Sequence, residues 1–215
     1  MHASGGRDSI LLVRLAVIGP CRGDVSMLAR MADVVLNGAA VSRAIYLGAD
    51  DAVDETVALW AKALVGPDLS HDRIWERALE VARRERPEDI DAFLRGERAR
   101  RRLRSIEGLP PPERRSVEIF GDRLAVLVHD RASLDEDDIF SASLLIYGKS
   151  DAPLAKRIGS RWFLTPGPIG ETGGGAIVVD DSGGELEASF YDLGGRPTHT
   201  ESLSQAREAH VSVQS

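Results

Sequence analysis

Two hydrophobic rhythms divide this chain, and the point where one gives way to the other limits the folds open to it. Over the first 66 residues, strand-like and helix-like runs alternate. LVRLAVIGP reads as a buried strand stopped by Gly19-Pro20. A helix follows, with Met27, Leu28, Met31, Val34 and Val35 at helical spacing between an Asp24 N-cap and an Asn37-Gly38 stop. SRAIYLG is a second strand, and DAVDETVALWAKALVG a second helix ending at Gly66-Pro67. Strand, helix, strand, helix with short joins implies parallel pairing with helices on a sheet face.

From Ser116 onward the chain becomes strand-rich: SVEIF, RLAVLVHD, SLLIYG, RWFLTPG, AIVVDD and ELEASFYDL, with turns at Gly121-Asp122 and Ser182-Gly183-Gly184. Between the two regimes, LSHDRIWERALEVARRER and PEDIDAFLRGERARRRLRSIE are helical in period, with Pro87 in the first turn of the second, and GLPPPERR closes the block. The expectation is an α/β (α+β sandwich) fold, two sheets face to face with helices outside. It forms one domain over 1–215, with a helical insertion at about 68–107 and loose tails at about 1–8 and 197–215.

A hydrophobic content of 43% in 215 residues suffices for a core of that size. The net charge of -7 argues against nucleic acid as a partner, since phosphate neutralisation needs a positive face. A single cysteine, Cys21, cannot form an internal disulfide and fits a reducing compartment, so the expected location is cytoplasmic. The apolar stretch Ile10 to Ile18 is interrupted by Arg14 and falls well short of the roughly 20 residues of a membrane span, so no membrane insertion is expected.

The order of these pieces, above all LIYGKSDAPLAKRIGSRWFLTPGPIGETGGGAIVVDDSGGELEASFYDLGG, resembles the calcineurin-like metallophosphoesterases, particularly their small bacterial and archaeal phosphodiesterase branch. The resemblance runs from about Leu15 to about Gly195. It implies a four-layer αββα double β-sandwich whose strand-end loops hold two divalent metals, such as Mn, Fe, Zn or Ni. Such a pair polarises a phosphoryl oxygen and deprotonates a bridging water, and needs carboxylate, imidazole and amide ligands.

Matched motif by motif, most of those ligands are replaced. Asp-x-His-Gly-Asn falls on PCRGD, which puts Pro20 and Arg22 at the ligand positions; Leu-Gly-Asp falls on Leu47-Gly48-Ala49. The Gly-Asn motif has only GPDL from Gly66 as a weak counterpart. A strand ending in His-Gly falls on LVHDR, retaining His129, and Gly-His-x-His falls on GKSD, with Lys149 and Asp151 in place of the histidines. No metal cofactor is therefore expected.

The resemblance with these departures implies a pseudoenzyme, a non-catalytic protein-binding or scaffold module whose partner is another protein or a second copy. Two alternatives stay open. One is a divergent phosphoesterase with His129 as general acid or nucleophile; the other is a phosphate or nucleotide sensor. In both, Arg22 and Lys149 would clamp an anion, with Asp151, Asp50 and Asp51 beside them. His129 otherwise reads as a hydrogen-bonded structural residue.

Asp50, Asp51 and Asp54 in ADDAVDE also fit a helix start, where acidic residues oppose the positive end of the dipole. DEDD at Asp135 to Asp138 reads as a solvated turn, Gly173-Gly174-Gly175 as a flexible join, and Cys21 as incidental. The six arginines Arg95, Arg98, Arg100, Arg101, Arg102 and Arg104 are the candidate partner surface, their other reading being a solvated helix face.

Overall fold

In the computed structural model, residues 14–203 are described, apart from Pro67, Leu69, His71, Glu85, Glu171 and Thr172. The front half follows the expected alternation: β1 (Arg14–Ile18), α1 (Val25–Asp33), β2 (Ala44–Tyr46) and α2 (Ala52–Trp60), each helix widening into a π turn at its end. Then come α3 (Ile74–Arg84), α4 (Pro87–Arg102) and β3 (Ile106–Gly108). The back half supplies β4 (Arg115–Phe120), β5 (Arg123–Val128), α5 (Glu136–Ser141), β6 (Leu144–Tyr147) and β7 (Leu154–Ile158). It closes with β8 (Arg161–Thr165), β9 (Ala176–Asp180), β10 (Glu187–Tyr191) and β11 (Pro197–Ser202).

Two mixed sheets result. The first runs β11-β10-β9-β1-β2-β3 and the second β4-β5-β6-β8-β7. β1, β2 and β3 are mutually parallel, as are β5, β6 and β8, and the remaining strands, β9, β10 and β11 in the first sheet and β4 and β7 in the second, pair antiparallel. The central strands are apolar without alternation because both of their faces are buried. Leu15, Val17, Ile45, Ile177 and Phe190 of the first sheet meet Leu127, Ile146, Trp162 and Leu164 of the second. The opposite faces of the same strands, at Ala16, Ile18, Tyr46 and Val178, pack under α1 and α2. Beyond the second sheet, Val126, Val128, Leu145 and Tyr147 cluster with Ala142, next to α5. The architecture is helix, sheet, sheet, helix, as expected.

Four expectations need correction. The tail from residue 197 is not loose up to Ser202: β11 pairs with β10 over its whole length, because an edge strand is held by backbone hydrogen bonds that its polar sequence does not announce. The remaining residues of both tails lie outside the described residues. The helical block stops short of 107, since Ile106–Gly108 is the outer parallel strand of the first sheet. The block is thus part of the crossover from β2 to β3.

DEDD is not a solvated turn. Asp135 and Asp138 form a capping box that starts α5, and Asp138 is buried against Arg115. The glycine join is packed closely rather than merely flexible: a Cβ at Gly175 would fall 2.2 Å from Met31 Cε, and one at Gly174 would fall 2.7 Å from the Pro168 carbonyl oxygen.

Candidate functional site

The carboxyl ends of β1, β2, β5 and β6 converge, the usual ligand position in α/β sheets. After β1 the chain turns at Arg22 and Gly23, both with positive φ (52° and 85°), closed by a hydrogen bond of 3.0 Å from Asp24 N–H to the Cys21 carbonyl. Two successive left-handed residues define a type I′ turn, which costs a non-glycine residue such as Arg22 about 1 kcal/mol. Asp24 then caps α1, its carboxylate accepting from the Ser26 and Met27 amides as the sequence indicates.

The floor of the site joins the two sheets. His129 Nδ1 lies 2.7 Å from the Leu47 carbonyl oxygen. A carbonyl only accepts, so Nδ1 carries the hydrogen and the neutral ring has a bare Nε2. Gly148 N–H donates to the Val128 and His129 carbonyls, and Lys149 N–H donates to the His129 carbonyl at 2.7 Å. No larger residue fits at Gly148, where a Cβ would come within 2.5 Å of the Leu47 oxygen.

Above this floor lies an open cleft of about 640 Å³. The structure brings Pro20, Arg22, His129, Lys149 and Asp151 to its wall, together with Asp130 and Arg131. Lys149 Nζ is 2.6 Å from Asp130 Oδ2, and Arg22 is 3.7 Å from the fully exposed Asp151. The Ala132 amide foremost, and Lys149 with it, hold the Asp130 carboxyl below its ordinary pKa.

Asp50 and Asp51 are not part of this wall. They line a separate cavity of about 250 Å³ with Asp54 and Arg114, because the chain turns into α2 immediately after them. Ala49 is an exposed residue of that turn.

Tyr46 and Cys21 were not read as functional partners from sequence, yet they form a buried polar contact beneath the β1 turn. The Tyr46 hydroxyl accepts from Cys21 N–H at 3.0 Å and lies 3.1 Å from its sulfur. Burial, foremost, pushes the phenol pKa far up, so it stays neutral and hydrogen-bonds Asp50 as well. The available signal was a tyrosine two residues before Gly48: a Cβ there would sit 2.2 Å from the Tyr46 ring, so the glycine makes room for it.

The donor set does not fit two divalent metals. Pro20 and Ala49 offer no side-chain ligand, Arg22 and Lys149 are cations, and the remaining candidates are His129, Asp151 and Asp130, the last already paired with Lys149. Among the described residues no group of three or more histidine, cysteine, aspartate or glutamate side chains is arranged to hold a metal ion. Bringing two unit positive charges to 4 Å costs about 4 kcal/mol at an effective dielectric near 20, and a divalent ion doubles it.

The arginine cluster splits in two. Arg100 donates to the Asp68 carbonyl and to Glu97, and Arg102 lies 4.5 Å over the Trp60 ring while pairing with Asp33. These two are structural, which removes them from the candidate partner surface. Arg95, Arg98, Arg101 and Arg104 are exposed.

The hairpin of α3 and α4 leaves large apolar side chains in solvent and carries charge in its seam, with Ile74, Ala78 and Val81 only half-buried. No residue of α3 is fully buried; Trp75 is 82% exposed and Leu79 54%, whereas the Arg77 side chain is only 14% exposed. What joins the helices is a polar seam: Arg77 pairs with Glu97 at 2.8 Å, Glu97 pairs with Arg100 at 2.9 Å, and Arg77 also reaches Asp68 and the Ser70 carbonyl. Ile90 and Leu94, one turn apart on α4, are likewise left exposed.

No protein-family model matches the chain, and no curated protein does. Among solved structures, it is similar to a conserved uncharacterized protein, a predicted phosphoesterase, from Streptococcus pneumoniae TIGR4 (13% identity, 88% of this chain and 97% of that one, TM-score 0.46). It is also similar to wild-type Vps29 from Entamoeba histolytica, solved with zinc (16% identity, 89% and 100%, TM-score 0.46). An archaeal phosphodiesterase gives 11% identity over 88% and 99%, with a TM-score of 0.42. What the site can do is argued from this chain's own residues.

Proposed function

We propose that this chain is a non-catalytic, metallophosphoesterase-like module that binds another protein through the α3–α4 hairpin. The observation that carries the reading is the exposure of Trp75 and Leu79 on a hairpin whose seam holds charged Arg77 and Glu97. Large apolar side chains left in solvent gain nothing there in the free chain, and exposed apolar surface of this kind marks interaction sites. The replaced ligands at Pro20, Arg22, Ala49 and Lys149 support the absence of metal-dependent hydrolysis. No helix among the described residues is long and apolar enough to cross a membrane, and a lone buried Cys21 thiol suits a reducing, cytoplasmic setting.

The test is affinity purification of the wild type against Trp75→Ser/Leu79→Ser, with folding checked by circular dichroism and self-association by sedimentation. Partners recovered with the wild type alone support the reading, and identical recoveries sink it. Elemental analysis finding two metals per chain at the cleft would overturn the non-catalytic part.

A second reading, oxyanion binding in the cleft without hydrolysis, is favoured by Arg22, Arg131 and Lys149 around one opening. Calorimetric titration with inorganic phosphate, wild type against Lys149→Gln, tests it; no heat at millimolar phosphate removes it.

A further inference from the structure

We infer that the occupant of the hairpin is an acidic amphipathic segment of a partner protein, its apolar side chains over Trp75, Leu79 and Leu94 and its carboxylates against Arg98 and Arg101. This rests on the reading of the hairpin as a protein-binding surface and adds the chemistry of what it binds.

The face of α4 is graded. Ile90, Leu94, Arg98 and Arg101 follow one another by four, four and three residues, so they share one side of the helix, apolar at its start and cationic at its end. The Arg77–Glu97 pair fixes the antiparallel register of the hairpin. It sets Leu79 level with the Leu94 turn and Trp75 level with the end that carries Arg98 and Arg101. The exposed side chains of the hairpin therefore include apolar ones on both helices and a cationic run at the end of α4.

The charge on that end is not neutralised within the molecule. On the hairpin, Arg73, Arg77, Arg86, Arg100 and Arg102 are each paired with a carboxylate. Arg95, Arg98, Arg101 and Arg104 are exposed, and among the described residues none of the four has an ion pair or a side-chain hydrogen bond. Like charges three residues apart on a helix repel, so the row works against α4. The chain carries 34 acidic residues against 27 basic ones, so pairing this row internally would have been easy. Carboxylates from outside complete it, and such complementarity selects the partner and speeds encounter. Nucleic acid fits less well, because the net charge of -7 repels a polyanion and Trp75, Leu79, Ile90 and Leu94 make no use of phosphates.

The experiment is selection from a display library of random peptides on the whole protein, followed by affinity measurement of the winners. Wild type should enrich peptides that combine apolar residues with Asp or Glu clustered at one end. Their affinity should fall by about tenfold or more in Arg98→Gln/Arg101→Gln and fall steeply with salt. Selection on Arg98→Glu/Arg101→Glu should turn the bias toward basic peptides, a gain that misfolding cannot produce. Winners without acidic bias, or equally tight on Arg98→Gln/Arg101→Gln, overturn this inference and leave the protein-binding surface standing. No enrichment, or winners that bind Trp75→Ser/Leu79→Ser as well as wild type, sink both. A single-stranded oligonucleotide that binds more tightly than the best peptide overturns the acidic-peptide assignment.

Discussion

The strand-end cleft and the helical hairpin both gather cationic side chains, and they arrange them in opposite ways. In the cleft the framework is backbone: the Leu47, Val128 and His129 carbonyls are taken by His129 Nδ1–H and by the amides of Gly148 and Lys149. The side chains above them lie in surface pairs, Lys149 with Asp130 and Arg22 with Asp151. In the hairpin the framework is itself side-chain charge, the Arg77–Glu97–Arg100 seam, and the outer arginines stand apart from carboxylates. A loop held by backbone bonds can exchange every ligand and keep its shape. A hairpin with three charged side chains in its seam cannot exchange them so freely, and it leaves Trp75 and Leu79 in solvent.

The largest effect should separate the two regions outright. Glu97→Ala takes from Arg77 and Arg100 the buried carboxylate that they share, leaving them the oxygens of Asp68 and Ser70, and losing charged hydrogen bonds of this kind costs roughly 2–3 kcal/mol. Hydrogen exchange should show that loss in the amides of α3 and α4 with β1 and β9 nearly unchanged. Equal loss in those strands would mean that the hairpin is not held separately.

A smaller effect tests the region beneath the cleft. Tyr46→Phe leaves the buried Cys21 amide without its acceptor, a loss of about 1–2 kcal/mol. It should appear in global urea unfolding while exchange in α4 stays as in the wild type. An unchanged midpoint would show that water replaces the hydroxyl.

The smallest effect is that of the surface pair. Lys149→Gln should change stability by no more than about 0.5 kcal/mol, since the lysine is exposed. The folded-state pKa of Asp130 is lowered, so its contribution is present above the ordinary 3.8 and is lost as pH falls through the lower folded value. The gap between Lys149→Gln and wild type in urea unfolding should therefore close on acidification below that range. A gap that widens there would contradict the pairing.

What the sequence disclosed follows the same division. β1, β2, β5, β6, β8, β9 and β10 are legible as apolar runs because they carry the cores. β3, β7 and β11 are not, being edge strands that rely on a neighbour's backbone and show mixed or polar residues. The cleft positions Pro20, Arg22, His129, Lys149 and Asp151 were legible from motif order, which tracks strand ends. Asp50 and Asp51 were misplaced because one turn of chain decides which opening they line. The acidic run at Asp135–Asp138 looked solvated since the residue that buries it, Arg115, lies on a different strand. The exposure of Trp75 and Leu79 could not be read at all: periodicity reveals that α3 has an apolar face, not which part of it stays in solvent.

The bond from His129 to the Leu47 carbonyl has a thermodynamic consequence of its own. With hydrogen fixed on Nδ1, the neutral ring offers only a lone pair at Nε2. A ligand that brings a donor can use that lone pair directly. An oxygen that only accepts has nothing to offer that lone pair, so the ring selects for ligands that present an N–H or O–H toward the cleft.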